Sequence, residues 1–455
     1  MVSVYLTLSK YFLNQKTGMT NNGKSESNQM KIGIEAMAFE VPDHYLDITD
    51  LAKARGVDPA KYTSGLGQKQ MGVASPCEDT VVLAAGAGQR LLANFDIDPQ
   101  SISLLIVGTE TGIDHSKPVS SYVHQILGLS SQCRVFEVKH ACYGAMAGLT
   151  TAVNYILSGR AKGRKALVIA SDIARYGKNT LGEPTQGAGA VAMLVSDNPR
   201  LLEIDHQNEG FFASQVMDFW RPLYSKEAFA DGHFSIQCYL DALSGAYNLY
   251  KAGVCEGNGA PSQPVGNGSF SGRFEACLYH VPFVKMAQKA HQRLLETDEG
   301  QSFEKDSPQA KAAQQDFEKR VAPALELNAR VGNIYTGALF LSLAYLLENS
   351  ADKLAGKPIS LFSYGSGCGA EFMGAKVVEG ADRLMKAVSY KDILAKRKPV
   401  SIERYEEILD ACSKMDLNGE ENICDPAKWD IKRPVVYLGT QNHKRVYSVN
   451  GVVLN

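Results

Sequence analysis

Uncharged runs dominate the first half of this chain. Residues 103–109 (SLLIVGT), 166–170 (ALVIA) and 190–195 (AVAMLV) are continuous rather than alternating. A strand that is apolar on both faces must be covered on both faces, the condition met by parallel or mixed sheets sandwiched between helices. Between these runs lie helical patterns rich in small residues, as at 80–93 and 144–157. Strands alternating with helices predict an α/β fold with buried central helices.

The stretch that carries chemistry is 135–148, VFEVKHACYGAMAG. A short strand (135–138) runs into a helix opened by Gly144, Ala145, Ala147 and Gly148, with Cys142 at the elbow. A thiol there sits near the positive end of the helix dipole, which favours thiolate and hence nucleophilicity. The plainer alternative is a buried structural cysteine acting as a small hydrophobe.

With 455 residues the chain is long enough for two or three domain-sized units. A formal net charge of −2 gives no sign of affinity for nucleic acid or a membrane surface. Nine cysteines are scattered without a CxxC pair, so neither a disulfide framework nor a zinc site is expected, and a reducing cytoplasm fits best. Two uncharged runs, 141–159 and 331–347, approach membrane-spanning length. Both carry Asn, Tyr, Thr and Gly and read as helices of a large core.

Residues 1–30 read as a disordered extension. An N-terminal half is expected over 31–198, a C-terminal half over 199–396 and an appendage over 397–455. In the second half a strand (274–279) ends at His280, a helix covers 283–295, a second all-apolar helix is expected over 334–347, and a strand (359–364) closes in Gly365-Ser366-Gly367. Strand end, buried helix and glycine turn thus occur in both halves, a sign of internal duplication.

Three reactive groups fall at strand ends, where α/β proteins keep their chemistry: Glu110, Cys142 and His280. A thiolate forms acyl intermediates, a carboxylate removes protons and an imidazole polarises a carbonyl. Taken singly, Glu110 also suits a helix cap or an ion pair, and His280 a satisfied core histidine.

Taken together the motifs are specific. DPAKYTSGLGQKQM (58–71), IVGTETGIDHSK (106–117), FEVKHACYGAMAGL (136–149), EPTQGAGAVAMLV (183–195), DFWRP (218–222), DGHFSIQCY (231–239), HVPFVKMAQKA (280–290), VGNIYTGALFLSL (331–343) and FSYGSGCGAEF (362–372) occur in order over about four-fifths of the chain. The set resembles the 3-hydroxy-3-methylglutaryl-CoA (HMG-CoA) synthases of the thiolase superfamily. That resemblance implies a duplicated five-layer αβαβα fold and a condensation of acetyl-CoA with acetoacetyl-CoA and water, giving HMG-CoA and CoA for the mevalonate route to isoprenoids. Cys142 would take the acetyl group, Glu110 would deprotonate its methyl, and His280 would hold and polarise acetoacetyl-CoA. Tyr143, Thr185, Ser235, Asn333, Tyr364 and Ser366 would contact the acyl portions, with Asp114, Asp172 and Asp218 as acidic supports. Backbone donors around Cys142 and the Gly365–Gly367 turn would form an oxyanion hole.

Coenzyme A needs a phosphate-binding surface. Lys285, Lys289 and Arg293 follow His280 at i, i+4, i+8, hence on one helix face, and Lys61 in the glycine-rich loop is a further candidate. No metal or other cofactor is implied, and thiolase-type relatives imply a homodimer. Met146 replaces the Thr usual in the family, with consequences for the acyl pocket. The alternative reading keeps the chemistry and changes the partner: a β-branching synthase of polyketide assembly acting on acyl-carrier-protein substrates.

Overall fold

The computed structural model describes residues 30–225, 227–256, 269–417 and 421–454. The expected N-terminal extension, Met30 apart, and most of the 256–272 loop lie outside the described residues.

The framework is a nine-stranded sheet. Its strands are β1 (Gly33–Glu40), β2 (Ile102–Gly108), β3 (Arg134–Val138), β4 (Lys165–Ile173), β5 (Ala188–Ser196), β6 (Leu202–Ala213), β7 (Ala276–Tyr279), β8 (Pro358–Gly365) and β9 (Gly369–Val377). They lie in the order β7-β8-β9-β6-β1-β5-β4-β2-β3. On one side, β1 pairs antiparallel with β5, β5 antiparallel with β4, and β4 parallel with β2. On the other, β6 pairs antiparallel with β9, β9 antiparallel with β8, and β8 parallel with β7. The second sequence of pairings repeats the first. The two sets meet where Gly33 and Ile34 of β1 oppose Glu203 and Leu202 of β6.

The expected burial on both faces is met. Every residue of β2 and β5 is buried. Gly88 of α1 (Thr80–Asn94) approaches Ile169, whereas Gly148 of α2 (Gly144–Leu157) approaches Val168 and Ile106. Adjacent strand residues point to opposite faces, so the two helices cover opposite faces of β4. In the second half the strands are covered by α3 (Gly232–Glu256), α4 (Val284–Glu299) and α5 (Ala338–Leu354). Helix α5 begins four residues later than the hydrophobic run implies. Asn333 Oδ1 accepts the Tyr335 N–H, and Tyr335 adopts a positive φ of 43°, so 333–337 form a buried turn instead. Among the described residues no helix is long and apolar enough to cross a membrane.

The last sixty residues form α6 (Ile402–Leu417) and a four-stranded sheet from Glu421 to Leu454. They pack on the first half around Leu46, Ile48, Met71 and Val73. Ion pairs reinforce this packing: Arg433 with Asp43 and Glu78, and Arg445 with Asp79. One expectation is overturned here. Cys77 and Cys424 form a disulfide across 347 residues of sequence. Local cysteine spacing cannot register such a pairing, because the folding of the tail onto the first half creates it. Six cysteines are free among the described residues, including Cys142.

Candidate active site

Cys142 lies where β3 gives way to α2. Ala141 takes a positive φ of 40° to make the elbow, and helix α2 opens at Gly144. Gly365, at the end of β8, must be glycine: a Cβ there would lie 2.5 Å from the His140 carbonyl and 2.6 Å from the Tyr143 nitrogen. The glycine turn of the second half is thereby pressed against the cysteine elbow of the first.

The Cys142 thiol donates to Glu110 Oε1 at 3.3 Å. Glu110 follows β2, and its side chain is only 7% exposed. Burial, followed by the nearby Asp172 carboxylate, pushes the Glu110 carboxyl up to about 8, against the opposing pull of Arg221 and Cys142. The thiol is displaced as well. Burial and the Glu110 charge hold it well above the ordinary thiol range, with Asp172 and Asp218 adding to the effect. This corrects the thiolate expected from the helix terminus: burial, with the surrounding acidic groups, outweighs the dipole and favours a thiol bonded to the Glu110 carboxyl group.

Asp172, fully buried at the end of β4, gathers this region. Its Oδ1 accepts from Thr109 Oγ1, the Glu110 N–H, the Thr111 N–H and Thr111 Oγ1, and its Oδ2 from the Thr336 N–H and hydroxyl. Asp218 plays a similar part in the second half, accepting from Tyr364 Oη (2.7 Å), the Gly367 N–H (3.0 Å) and Ser235 Oγ (3.4 Å).

His280 follows β7, and β7 corresponds to β2 in the repeated pairing order. The His280 main-chain N–H donates to the Phe362 carbonyl, and Tyr239 Oη donates to the His280 carbonyl. Burial pushes the imidazole down to about 3, so the ring is neutral. Tyr239 connects it to the rest of the site, its ring centroid 6.3 Å from that of His280 and 5.1 Å from that of Tyr364, whose hydroxyl reaches Asp218. Glu110 and Cys142 therefore touch directly, whereas His280 reaches only as far as Asp218, through Tyr239 and Tyr364, and the Asp218 charge is felt at Cys142.

The other expected residues divide. Ser366 and Asp114 line, with Glu110, a cavity of about 820 Å³. Asp114 is nevertheless turned into its own loop, accepting the Ser116 and Lys117 N–H groups. Asn333 is buried, its N–H donating to the Thr185 carbonyl, and the Thr185 hydroxyl is taken up by the Gly182 carbonyl. The Tyr143 hydroxyl donates to Glu371 at 2.6 Å rather than standing free for an acyl group. Two of the expected oxyanion donors are engaged: the Gly367 N–H by Asp218, and the Tyr143 N–H by the His140 carbonyl. Lys285, Lys289 and Arg293 do share helix α4, and the turn after Lys61 packs on its start, since a Cβ on Gly67 would lie 2.6 Å from Val284. These cations stand outside the lining of the 820 Å³ cavity. Met146 is fully buried in the core.

Three participants carry no role in the sequence reading. Arg221 donates to the Glu110 carbonyl, Thr336 bonds Asp172, and Glu371 holds both Tyr143 and Thr150. Arg221 had a signal, standing three residues after Asp218 in DFWRP. The tail also contributes unexpectedly, supplying Cys412, Met415, Tyr437 and Arg445 to the cavity wall.

A doubled α/β fold of the thiolase type, with a thiol against a carboxylate at strand ends, defines a condensing acyl-CoA enzyme. Residues 28–199 match the family described as hydroxymethylglutaryl-coenzyme A synthase N terminal, and residues 202–310 and 299–450 match its C-terminal counterpart. The hydroxymethylglutaryl-CoA synthase of Enterococcus faecalis is 37% identical over 402 residues, 88% of this chain and 97% of that one. The polyketide biosynthesis 3-hydroxy-3-methylglutaryl-ACP synthase PksG of Bacillus subtilis is 36% identical, over 91% of this chain and 96% of its own. Among solved structures, MvaS in complex with 3-hydroxy-3-methylglutaryl coenzyme A superimposes with a TM-score of 0.85 at 45% identity, covering 92% of this chain and 99% of that chain. The chain belongs to the HMG-CoA synthase family.

Proposed function

We propose that this enzyme condenses acetyl-CoA with acetoacetyl-CoA and water to HMG-CoA and CoA, through an acetyl group carried on Cys142, as the HMG-CoA-forming step of the mevalonate route. The observation that carries the reading is the 3.3 Å contact between the Cys142 thiol and Glu110. As sulfur attacks the thioester carbonyl of acetyl-CoA, its proton passes to the Glu110 carboxylate and on to the departing CoA thiol. Glu110 then removes a proton from the acetyl methyl group. The resulting enolate carbon attacks the ketone of acetoacetyl-CoA, and the developing alkoxide, hydrogen-bonded by neutral His280, takes up the proton that Glu110 removed. Water finally cleaves the Cys142 thioester. We assign the Cys142 and Ser366 amides to the thioester oxygen, and Lys285, Lys289 and Arg293 to the CoA phosphates.

Among the solved structures, the higher identity to MvaS (45%), which holds HMG-CoA, than to PksG (32%) supports free CoA esters over carrier-bound substrates. A homodimer belongs to the same proposal. Strand β3 lies at the sheet edge with Phe136 exposed, a surface suited to a second copy. So does a cytoplasmic location, which the six free cysteines support and the Cys77–Cys424 bond weighs against.

The decisive experiment mixes the enzyme with acetyl-CoA and measures intact mass. A single added acetyl group, located on Cys142 and discharged as HMG-CoA when acetoacetyl-CoA is added, is the expected result. Turnover of carrier-bound substrates with none of the free CoA esters would move the enzyme to polyketide assembly.

A further inference from the structure

We infer that Arg221 is a positioning residue for the condensation, holding the Glu110 carboxylate oriented and ionised for removal of the methyl proton. The inference rests on Glu110 being the base, as proposed above. Its ground is a division of the carboxylate between two neighbours. Cys142 Sγ stands 3.3 Å from Oε1, while the Arg221 guanidinium comes within 3.9 Å of Oε2. The same guanidinium nitrogen donates to the Glu110 main-chain carbonyl, so the arginine grips the residue at both backbone and side chain. Arg221 sits between Trp220 and Pro222 on the cavity wall, with a side chain only 16% exposed.

Among the described residues, the other groups in electrostatic contact with Glu110 are a thiol, phenols and a carboxyl group. Asp172 accepts the Glu110 N–H from the end of β4, Cys142 faces it from the elbow, Tyr176 from the segment after β4, and Tyr335 from the turn before α5. Burial and Asp172 drive Glu110 toward its neutral form, and a neutral carboxyl cannot accept a proton from carbon. Among these groups Arg221 alone is cationic, and it opposes that drift. A guanidinium suits the place better than an ammonium, because it stays charged out of water where a buried lysine readily gives up its proton. Arg221 comes from the second half and Glu110 from the first, so the contact also ties the base to the half that carries His280.

The test is the pH profile of condensation at saturating acetyl-CoA and acetoacetyl-CoA, for the full-length wild type and for Arg221→Gln, Arg221→Lys and Glu110→Gln. In Arg221→Gln the rising limb moves about one pH unit higher, a roughly tenfold loss below the midpoint that narrows at high pH. Arg221→Lys lies between wild type and Arg221→Gln. Endpoint acetyl incorporation remains stoichiometric in both variants. A lower plateau with an unmoved limb in both overturns the inference and leaves Arg221 a structural residue. Glu110→Gln keeps the two ideas apart: condensation at the wild-type rate removes Glu110 as the base, whereas its loss alongside an unmoved Arg221 limb removes only the role of Arg221. Should Arg221→Gln not fold, the limb of Arg221→Lys decides, and coincidence with wild type counts against the inference.

Discussion

Thr336 and Asp172 belong to opposite halves of the chain, and the Thr336 hydroxyl donates to the Asp172 carboxylate at 2.6 Å, fully out of water. One buried carboxylate thereby holds the strand end that presents Glu110 and the turn that precedes α5. Asp172→Ala takes this acceptor from six N–H and O–H groups between Thr109 and Thr336. It is expected to destabilise the fold by about 3 kcal/mol or more, measured by urea unfolding.

Asp172→Asn makes a second prediction, opposite in sign to that for Arg221. The Asp172 charge helps push Glu110 up to about 8, so condensation in the wild type should rise as pH climbs through that value. Removing the charge lowers the Glu110 value, and the rising limb of the pH–rate profile should move to lower pH. A limb that moves upward would show that lost positioning outweighs the charge.

Cys142→Ser replaces a half-buried thiol with a hydroxyl of similar size. Acetyl uptake, followed by mass or by radiolabel, should vanish. The unfolding free energy should stay within about 1 kcal/mol of wild type, since the substitution opens no large cavity.

His280→Ala should damage condensation more than acetyl uptake, because the imidazole stands at the end of β7 rather than in contact with the thiol–carboxylate pair. Single-turnover measurement of the two steps separates them. Equal losses in both would contradict the assignment of His280 to the acceptor.

Lys289 is an exposed cation on α4 in register with Lys285 and Arg293. If this face holds CoA phosphates, Lys289→Ala removes a charge-assisted contact worth about 1.5–3 kcal/mol at most, and KM for the CoA esters rises several-fold with kcat little changed. An unchanged KM would return the residue to ordinary solvated surface.

The disulfide offers a prediction independent of catalysis. Cys424→Ser, or reduction of the wild type, frees the tail from a loop closure spanning 347 residues. It should lower stability by about 2–4 kcal/mol. Because Tyr437 and Arg445 of the tail line the cavity, substrate KM should rise with it.

The framework was legible because burial on both faces leaves a plain mark: SLLIVGT and AVAMLV are strands that no single covered face would require. The placement of Glu110, Cys142 and His280 after strands was legible because strand ends and a small-residue helix start are local patterns. What escaped is relational. The protonation of Cys142 depends on Glu110, Asp172 and Asp218, which meet it only in three dimensions. Tyr143 reads as a substrate contact until Glu371, 228 residues away, claims its hydroxyl. The apolar run from 334 reads as helix because hydropathy does not record the turn made by Asn333 and Tyr335. Distant sulfur pairing, likewise, has no signature in spacing.

The repeated strand order gives β2 and β7 the same address in the two halves, yet one ends in a carboxylic acid and the other in an imidazole. A perfectly symmetric frame would offer a donor and an acceptor identical surroundings and no reason to choose between them. On the mechanism proposed above, this divergence at corresponding strands distinguishes the molecule to be activated from the molecule to be attacked, and it writes the direction of carbon–carbon bond formation into a duplication.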